Sequence, residues 1–359
     1  MIAVIGLGQA GSNIAEEASN SRFLTGAINY SQRDLDSVNV KHKLRLLGSE
    51  GVGKKRNEAI ELFQDQWETA LSFVRDYFSN SKVIIFTFST SGGSGSGISP
   101  ILLEVCQNSF PDTTFVAMPI IPEITESQTS QINCLNTFAE LSKLDIAVFP
   151  IDNQQARNTH GLAGKNKIFE ITNQSSISYL SKLVSYTTKH SKNGNFDEQD
   201  LITVLATPGI ATISECEIAT LSSNILPQGV STKIVQSWES SIFAPVSSKR
   251  IERAAIIFDG QDTLMEYVQH NLIFQDFMPE LFEGNYHESN GRVTSLLTGL
   301  PWSFKRLLDI QESLKIYKDQ QEAIGSTNEI LFTPTTSVAT LPKKAEKKSV
   351  LDILNKYKY

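Results

Sequence analysis

The sequence holds few of the residues that build disulfide frameworks or transition-metal sites. Its 359 residues include three widely spaced cysteines, Cys106, Cys134 and Cys216, and five histidines without ligand spacing. Cysteines in this number and arrangement are typical of buried small side chains in a reducing compartment. We therefore expect neither disulfide bonds nor metal-ligating side chains.

Long apolar runs and a surplus of positive charge are also lacking. No run approaches the roughly 20 apolar residues that span a membrane, and no basic segment precedes the apolar N-terminus as in a signal peptide. The net charge of −7 argues against nucleic-acid binding by the body of the protein. Residues 331–359, with six lysines and two acids, are a basic exception. These features predict a cytoplasmic globular protein with a basic tail.

The most informative motif that is present is a glycine-rich loop, Ser91–Gly97. It follows Lys82–Phe88, whose β-branched and aromatic residues predict a buried strand, and it precedes Ile98–Val105, which predicts a helix. Glycines let backbone N–H groups approach a ligand closely, and a helix N-terminus attracts anions. The loop therefore predicts a phosphate site, and no Lys-Ser or Lys-Thr pair closes it as in a Walker-type P-loop.

Two further glycine loops accompany this motif. Gly6–Gly11 follows the predicted strand Ile2–Ile5 with the spacing of a dinucleotide fingerprint, but the next strand, Leu24–Asn29, is followed by no acid until Asp34. Gly48–Arg56 combines three glycines with three cations suited to neutralising a terminal phosphate. Glycine loops at the carboxyl ends of strands of one sheet suit a polyphosphate that is held from two sides.

Strand and helix patterns alternate along the first half of the chain. The sequence predicts strands at 2–5, 24–29, 82–88, 114–118 and 146–149 and helices at 12–19, 57–78, 127–143 and 168–190. This alternation predicts an α/β fold with a parallel, doubly wound, Rossmann-like sheet. Strands at 232–235, 253–257 and 292–297 predict a smaller α/β second domain, followed by a helix at 302–323 and a Thr-, Ser- and Pro-rich tail that ends in a short amphipathic helix at 349–359.

An acidic segment, Asn195–Asp200, follows the long predicted helix. Asp197 and Asp200 are three residues apart, so one helical turn places both carboxylates on one face. Paired carboxylates can orient and polarise a water molecule. The alternative interpretation is a solvated helix start, where acids are favoured by the helix dipole.

In their order along residues 1–200, these motifs resemble those of the tubulin/FtsZ superfamily, and within it the TubZ branch of plasmid- and phage-encoded tubulins. Ser91–Gly97 resembles the signature loop of the family, Gly6–Asn13 its first phosphate loop, and Gly51–Gly53 the loop that faces the γ-phosphate. Residues 169 and 173 resemble the pair in which an aromatic ring stacks on guanine and Asn or Asp recognises its edge. The acidic segment resembles the loop that completes the active site of a neighbouring subunit.

The resemblance implies GTP or GDP as the ligand, with Mg²⁺ held mainly through the phosphates. The residues that it implies for nucleotide binding are Gly8, Gln9, Ala10, Gly11, Asn13, Asn29, Gly51, Gly53, Ser91, Gly92, Gly93, Ser94, Gly95, Ser96, Gly97, Glu123, Glu126, Asn153, Phe169 and Asn173. Glu123 and Glu126 are both candidates for the ribose contact. The chain departs from the family pattern at Ser31, where bacterial FtsZ usually has Asp, and in having no Arg between Arg75 and Arg157.

The mechanism that the resemblance implies is GTP hydrolysis coupled to polymerisation. Asn195, Asp197 and Asp200 of one subunit would complete the site of the next, so head-to-tail filaments are expected. The resemblance implies that the basic tail binds a DNA-bound adaptor in a bacterial host and so serves segregation of plasmid or phage DNA. The alternative interpretation is a solvated tail that serves solubility. The expected parts are a GTP-binding domain (1–166), a central helix (167–194), a second domain (195–301), a C-terminal helix (302–325) and a flexible basic tail (326–359).

Three other functions stay open at this point. An NAD-dependent oxidoreductase would use Gly6–Gly11 but would have no use for the 91–97 loop or the paired acids. A nucleotide-dependent scaffold would bind GTP without turnover, although the presence of both Asp197 and Asp200 argues against it. An FtsZ-like division protein is less consistent with the divergent loops and the basic tail.

Overall fold

The computed structural model describes residues 2–159, 161–218, 226–245 and 250–324. The predicted tail at 326–359, including the predicted helix at 349–359, lies outside these ranges. Among the described residues, those up to Leu314 form one compact unit, and residues 315–324 belong to a second. Across the described residues, no helix has the length and apolar content that crossing a membrane requires.

Strands and helices alternate along most of the described chain. The strands are β1 (Ile2–Leu7), β2 (Leu24–Asn29), β3 (His42–Arg45), β4 (Val83–Ser89), β5 (Thr114–Ile121), β6 (Ala147–Val148), β7 (Ile151–Asp152), β8 (Gly209–Glu217), β9 (Arg253–Asp259), β10 (Glu280–Tyr286) and β11 (Arg292–Leu300). The helices are α1 (Gly8–Asn20), α2 (Gln32–Asp36), α3 (Arg56–Phe63), α4 (Trp67–Phe78), α5 (Ser94–Ser109), α6 (Gln128–Leu141), α7 (Asn153–Thr159), α8 (Lys165–Tyr186), α9 (Glu198–Leu205), α10 (Pro227–Glu239), α11 (Asp262–Met265), α12 (His270–Phe274) and α13 (Lys305–Ile324).

The strands form one sheet in the order β10-β9-β11-β8-β6-β5-β4-β1-β2-β3, with β7 paired to β5. Strand β1 pairs in parallel with both β2 and β4, and β4 pairs in parallel with β5. Strand β11 is antiparallel to its neighbours β8 and β9. The predicted α/β fold class with a mainly parallel sheet is therefore confirmed. The strands of the predicted second domain continue the same sheet through β6 and β8.

The two faces of the sheet carry two apolar layers. Along β1, Ala3, Ile5 and Leu7 belong to one layer, while Ile2 and Val4 belong to the other. This alternation follows from the two-residue period of a strand, and each large apolar side chain that is fully buried contributes about 1.5–3 kcal/mol. Helices α3 to α6 cover the first layer, and α1, α8 and α9 cover the second. The long helix α8 therefore lies on the same face as α1.

The structure corrects two of the predicted elements. The helix predicted at 57–78 is two helices, α3 and α4, separated by a turn at 64–66. The strand predicted at 232–235 lies inside α10, which begins with Pro227 and buries Val230, Ile234 and Trp238. The β-branched residues of that segment favoured a strand locally, but their spacing of three to four residues matches one face of a helix.

Candidate functional site

The candidate site lies where the order of the parallel strands reverses. After β1 the chain adds β2 and β3 on one side, and it then returns to place β4 and β5 on the other side. In such sheets ligands bind outside the carboxyl ends of the strands at this reversal. The loops that follow β1 and β4 flank the crevice, so both predicted glycine loops meet there.

A cavity of about 300 Å³ occupies the crevice. Backbone from three glycine-containing segments forms much of its wall. The lining residues are Leu7, Gly8, Gln9, Ala10, Asn29, Asp34, Gly51, Val52, Gly53, Ser89, Gly92, Gly93, Ser94 and Gly95. The structure thus brings together most of the residues predicted to hold phosphates, and we call this space the phosphate cavity.

Several glycines of these loops are required by backbone conformation or by close backbone packing. Gly8 has φ +72°, a conformation that favours glycine, at the turn from β1 into α1. A Cβ atom on Gly11 would collide with the carbonyl oxygen of Thr87, and one on Gly93 would lie 2.6 Å from that of Gly53. Gly11, Ser96 and Gly97 do not line the cavity and instead pack behind it.

Two helix N-termini border the phosphate cavity. Helix α1 begins at Gly8 and helix α5 at Ser94, and neither first turn has a side-chain cap. The backbone N–H groups of an uncapped first turn have no intrahelical partner and carry partial positive charge. Two such termini at one cavity form a binding site for an anion, which suits a polyphosphate.

A second cavity of about 180 Å³ adjoins the first and shares Ala10 and Ser89 with it. It is lined by Ala10, Asn13, Ser89, Ser91, Ile120, Ile121, Pro122, Glu126, Asn153, Lys165, Phe169 and Asn173. Phe169 and Asn173 are one helical turn apart on α8, and the Nζ atom of Lys165 lies 5.4 Å from the centre of the Phe169 ring. An aromatic face beside the carboxamides of Asn153 and Asn173 suits a nucleobase, and we call this space the base cavity.

The two glutamates proposed for the ribose have different surroundings. Glu126 lines the base cavity, whereas Glu123 does not and is buried. The Glu123 carboxylate accepts hydrogen bonds from Nε and Nη2 of Arg157 at 2.8 and 3.0 Å. Thus the arginine missing from the segment after β5 is supplied from α7, and it pairs with Glu123. Of the two glutamates, Glu126 is therefore the one that faces the base cavity.

The three cations of the Gly48–Arg56 loop have partners on helices. Lys54 donates to Ser127 and Ser130 at 3.1 and 2.6 Å and lies 3.9 Å from Glu126. Lys55 pairs with Glu58 at 3.0 Å, and the buried Arg56 pairs with Glu140 of α6. None of the three lines the phosphate cavity. In this structure they pair with side chains of α3 and α6 or of the residue that caps α6.

A buried carboxamide that the sequence did not single out joins two phosphate loops. The Nδ2 atom of Asn133, on α6, lies within hydrogen-bond distance of the carbonyl oxygens of Lys54, Ser91 and Gly92, at 3.1, 3.3 and 3.3 Å. The side chain is almost fully buried. The backbone N–H of Gly93 also donates to the Gly53 carbonyl at 2.8 Å. The loop after β4 and the 51–54 loop are therefore held together at Asn133.

Asp34 is a second cavity residue that the sequence did not single out. It lies in α2 just beyond β2. The Ser31 hydroxyl oxygen accepts a hydrogen bond from the Asp34 backbone N–H at 3.2 Å and so caps the helix. Its carboxylate accepts a hydrogen bond from Nδ2 of Asn29 at 3.0 Å. The sequence did contain one signal for this role, because Asp34 follows the end of the strand at Asn29 by five residues. Asp34 therefore places a carboxylate at the phosphate cavity three residues after Ser31.

A buried ion pair supports one wall of the base cavity. Nε of Arg306, in the first turn of α13, donates to the Asp152 carboxylate at 3.1 Å, and its Nη2 donates to the Pro122 carbonyl at 2.7 Å. Both side chains are nearly inaccessible to solvent. Burial raises the pKa of Asp152, and the Arg306 charge opposes that rise. Because Pro122 and Asn153 line the cavity, Arg306 fixes the backbone on both sides of that wall.

The predicted catalytic acids form a reciprocal helix cap. The Asp197 carboxylate accepts from the Asp200 N–H at 2.9 Å, and the Asp200 carboxylate accepts from the Asp197 N–H at 3.0 Å. The exposed Asn195 exchanges hydrogen bonds with the backbone of Ser191 at 2.6 and 3.0 Å. Asp197 and Asn195 are exposed and Asp200 is partly exposed, so the cap leaves the acids accessible to a second molecule.

These acids lie at the opposite end of the sheet from both cavities. Glu198 pairs at 2.9 Å with Lys82, which precedes β4, whereas the cavities adjoin its last residue, Ser89. A seven-residue strand is about 20 Å long at roughly 3.3 Å per residue. Within one subunit, the acids therefore lie too far from the phosphate cavity to reach a ligand there.

Comparison with known proteins agrees with this geometry. Residues 1–160 match the family model described as the Tubulin/FtsZ family, GTPase domain. The chain is 25% identical to the tubulin-like protein CetZ of Thermococcus kodakarensis over 334 residues, 88% of this chain and 86% of that protein. It is 28% identical to the tubulin-like protein TubZ of Clostridium botulinum C phage over 161 residues, 42% of this chain and 44% of that protein.

A solved structure shares the fold over most of the chain. The GTPγS-form protofilament of Bacillus thuringiensis serovar israelensis TubZ superposes with a TM-score of 0.76 at 17% identity, covering 90% of this chain and 93% of that one. A likeness at this identity establishes the fold.

Proposed function

Because residues 1–160 are a GTPase domain of the tubulin/FtsZ family, we propose that this GTPase completes its active site between successive subunits of a head-to-tail filament. The observation that carries the proposal is the separation of the acids from the phosphate cavity along β4. A site split between two ends of one molecule is completed when the acid end of one copy contacts the cavity end of another. Such a contact is heterologous and does not close, so it generates filaments.

The two cavities together suit GTP. The phosphate cavity supplies uncapped N–H groups at two helix N-termini for the phosphates. The base cavity supplies Phe169 for stacking and Asn153 and Asn173 for the guanine edge, and Glu126 for the ribose. Asn13 lines the same cavity beside the shared wall at Ala10.

In the proposed reaction, Asp197 and Asp200 of the neighbouring subunit orient the water that attacks the γ-phosphate. A positioned acid within reach of that water contributes by orientation and by accepting its proton. Asn195 lies two residues before Asp197, and the second N–H of its carboxamide is the donor that it offers to the same water. The reciprocal cap fixes the two carboxylates before the subunits meet, so that little side-chain freedom is lost on contact.

Mg²⁺ accompanies nucleoside triphosphates in such sites, and the side chains that line the phosphate cavity are suited to hold this ion. Mg²⁺ binds through one or two carboxylates and substrate phosphates, and Asp34 supplies a carboxylate at the phosphate cavity. When bound, the ion offsets the negative charge that develops during phosphoryl transfer. The residues of this chain hold the phosphates, orient the water and fix the base.

The test is phosphate release from GTP measured against protein concentration, with light scattering in parallel. We expect turnover per molecule to rise steeply above a threshold at which scattering appears. Asp200→Asn retains an oxygen for the Asp197 cap but loses the charge, so it should bind GTP and lose roughly 100-fold or more in turnover. Asp200→Ala keeps the backbone N–H that Asp197 caps but loses the reciprocal hydrogen bond from the Asp197 N–H, at about 1 kcal/mol of stability. Turnover that is independent of concentration, or full turnover by Asp200→Asn, would refute the shared site.

For the cellular role we propose segregation of plasmid or phage DNA in the cytoplasm of a bacterial host, through a DNA-bound adaptor that contacts the basic tail. The similarity to a phage TubZ and the six lysines in 331–359 support this role. A filament without DNA cargo is the second candidate, because similarity to CetZ extends over most of the chain. Deleting residues 343–359 should abolish adaptor binding by a polymerising protein. Undiminished binding would exclude the tail from the contact.

A further inference from the structure

The phosphate cavity carries a negative charge where it must hold a polyanion. Of the described residues that line it, Asp34 is the one with a charged side chain, and the rest are apolar, neutral polar or glycine. The nearby cations Lys54, Lys55 and Arg56 pair with Ser130, Glu58 and Glu140, none of which lines the phosphate cavity. An uncompensated carboxylate beside a triphosphate repels it, since like charges a few ångströms apart in a partly desolvated site interact unfavourably.

We propose that Asp34 is the protein group that fixes the divalent cation of the bound nucleotide, a role that rests on the proposed GTP site. Without a cation, the Asp34 carboxylate repels the triphosphate. With a divalent ion between them, both bind the ion, and the carboxylate then favours nucleotide binding. Mg²⁺ prefers this combination of one carboxylate, phosphate oxygens and water.

The local structure holds Asp34 in place for this role. Asn29, which is nearly inaccessible to solvent, donates from Nδ2 to Oδ2 of Asp34 at 3.0 Å, and Oδ1 of Asn29 accepts from the Ser31 N–H at 3.3 Å. The Ser31 hydroxyl accepts from the Asp34 backbone N–H. One carboxylate oxygen is therefore held by a carboxamide at the end of β2. The Asp34 carboxylate retains further lone pairs for an ion or for the water of its hydration shell.

The proposal predicts that Asp34→Asn changes GTP affinity in opposite directions with and without the ion. In EDTA, removal of the negative charge should tighten binding of a fluorescent GTP analogue roughly threefold or more. In millimolar Mg²⁺, loss of the ligand should weaken the same binding by about tenfold. The Asn side chain still accepts from Asn29, so the fold around α2 should be preserved. Electron paramagnetic resonance of Mn²⁺ added to the GTPγS complex should show weaker ion binding by the variant.

Asp36→Asn is the matched control. Asp36 lies two residues further along α2, is exposed and accepts from Gln32 at 2.7 Å, so its substitution should leave both affinities unchanged. A change in Asp34→Asn of equal size and sign in EDTA and in Mg²⁺ would show that the side chain acts only on the fold, and it would overturn the inference. Failure of the unaltered protein to bind GTP in either buffer would instead refute the proposed function itself.

Discussion

At the scale of single residues, the site depends on side chains that do not face the ligand. Asn133 lines neither cavity, yet its carboxamide contacts carbonyl oxygens from both the 51–54 loop and the loop after β4. A carbonyl that loses its donor in a buried position costs about 1–3 kcal/mol. The two loops bind different parts of a triphosphate in the proposed site, so their relative position should determine how well the γ-phosphate is held.

We predict that Asn133→Asp weakens GTPγS binding more than GDP binding. The substitution conserves shape but replaces the donor with a carboxylate facing three carbonyl oxygens, which separates the loops. We expect about a tenfold loss of GTPγS affinity and a smaller loss for GDP, together with about 1–3 kcal/mol less unfolding free energy. Fluorescence titration with each nucleotide and urea denaturation measure the two effects.

Asn136→Asp on the same helix is the control, because Asn136 is exposed and its substitution should change neither nucleotide affinity nor stability appreciably. A role confined to the fold would reduce stability while leaving the ratio of GTPγS to GDP affinity unchanged. That result would contradict the coupling of the two loops through Asn133.

At the scale of elements, the sequence predicts most of the nucleotide-binding half. The predicted strand Leu24–Asn29 has those bounds in the structure, and the strands around the 91–97 loop and at Arg253 and Arg292 begin within one residue of their predicted starts. These strands are short apolar runs bounded by turn residues, for which the local pattern and the tertiary environment agree. The glycine loops after β1 and β4 could be located for the same reason, since each lies between a strand and a helix that the sequence pattern predicts clearly.

The sequence analysis missed strand β3 and the break between α3 and α4, because the local hydrophobic pattern of these segments does not show how they pack. Strand β3 alternates half-buried His42 and Leu44 with exposed Lys43 and Arg45, which is a weak signal over four residues. The break between α3 and α4 has neither Pro nor Gly, and the apolar spacing of Phe63 and Trp67 continues across it. Such a break depends on contacts with other elements, which periodicity does not contain.

The same distinction applies to the candidate site. Residues identified by backbone requirements, such as Gly8 and Gly95, line the cavity as expected. Asn133, Asp34 and the pairing of Arg157 with Glu123 depend on segments that are far apart in sequence or on one side chain in a short helix. No motif spacing encodes these contacts, so the structure was needed to find them.

At the scale of the whole molecule, the proposed function depends on two ends that a single subunit does not bring together. The carboxyl edge of the sheet holds both cavities, and the α9 end holds the acids about 20 Å away along β4. A defect at one end should therefore be compensated by an intact copy of that end on a neighbouring molecule. This distinguishes a shared site from a site that is complete in one subunit.

We predict that two inactive variants restore GTP hydrolysis when they are mixed. Gly92→Leu should block the phosphate cavity without disturbing the fold, because a Cβ atom on Gly92 meets no atom within 4 Å, whereas one on Gly95 would lie 3.0 Å from the Ser89 carbonyl oxygen. Asp200→Asn keeps the cavity and lacks the acid. In a mixture, the cavity of Asp200→Asn contacts the acids of Gly92→Leu, so phosphate release should exceed the sum of the separate variants and be greatest near equal proportions, where such contacts are most frequent.

The matched control is the double variant that carries both substitutions in one chain. It offers neither a competent cavity nor competent acids, so mixing it with Asp200→Asn should leave phosphate release at the level of Asp200→Asn alone. Equal release from both mixtures would mean that the acids do not act across the contact between subunits. Restoration confined to the mixture of single variants would assign the cavity to one subunit and the catalytic carboxylate to the next, because no single chain in that mixture contains both.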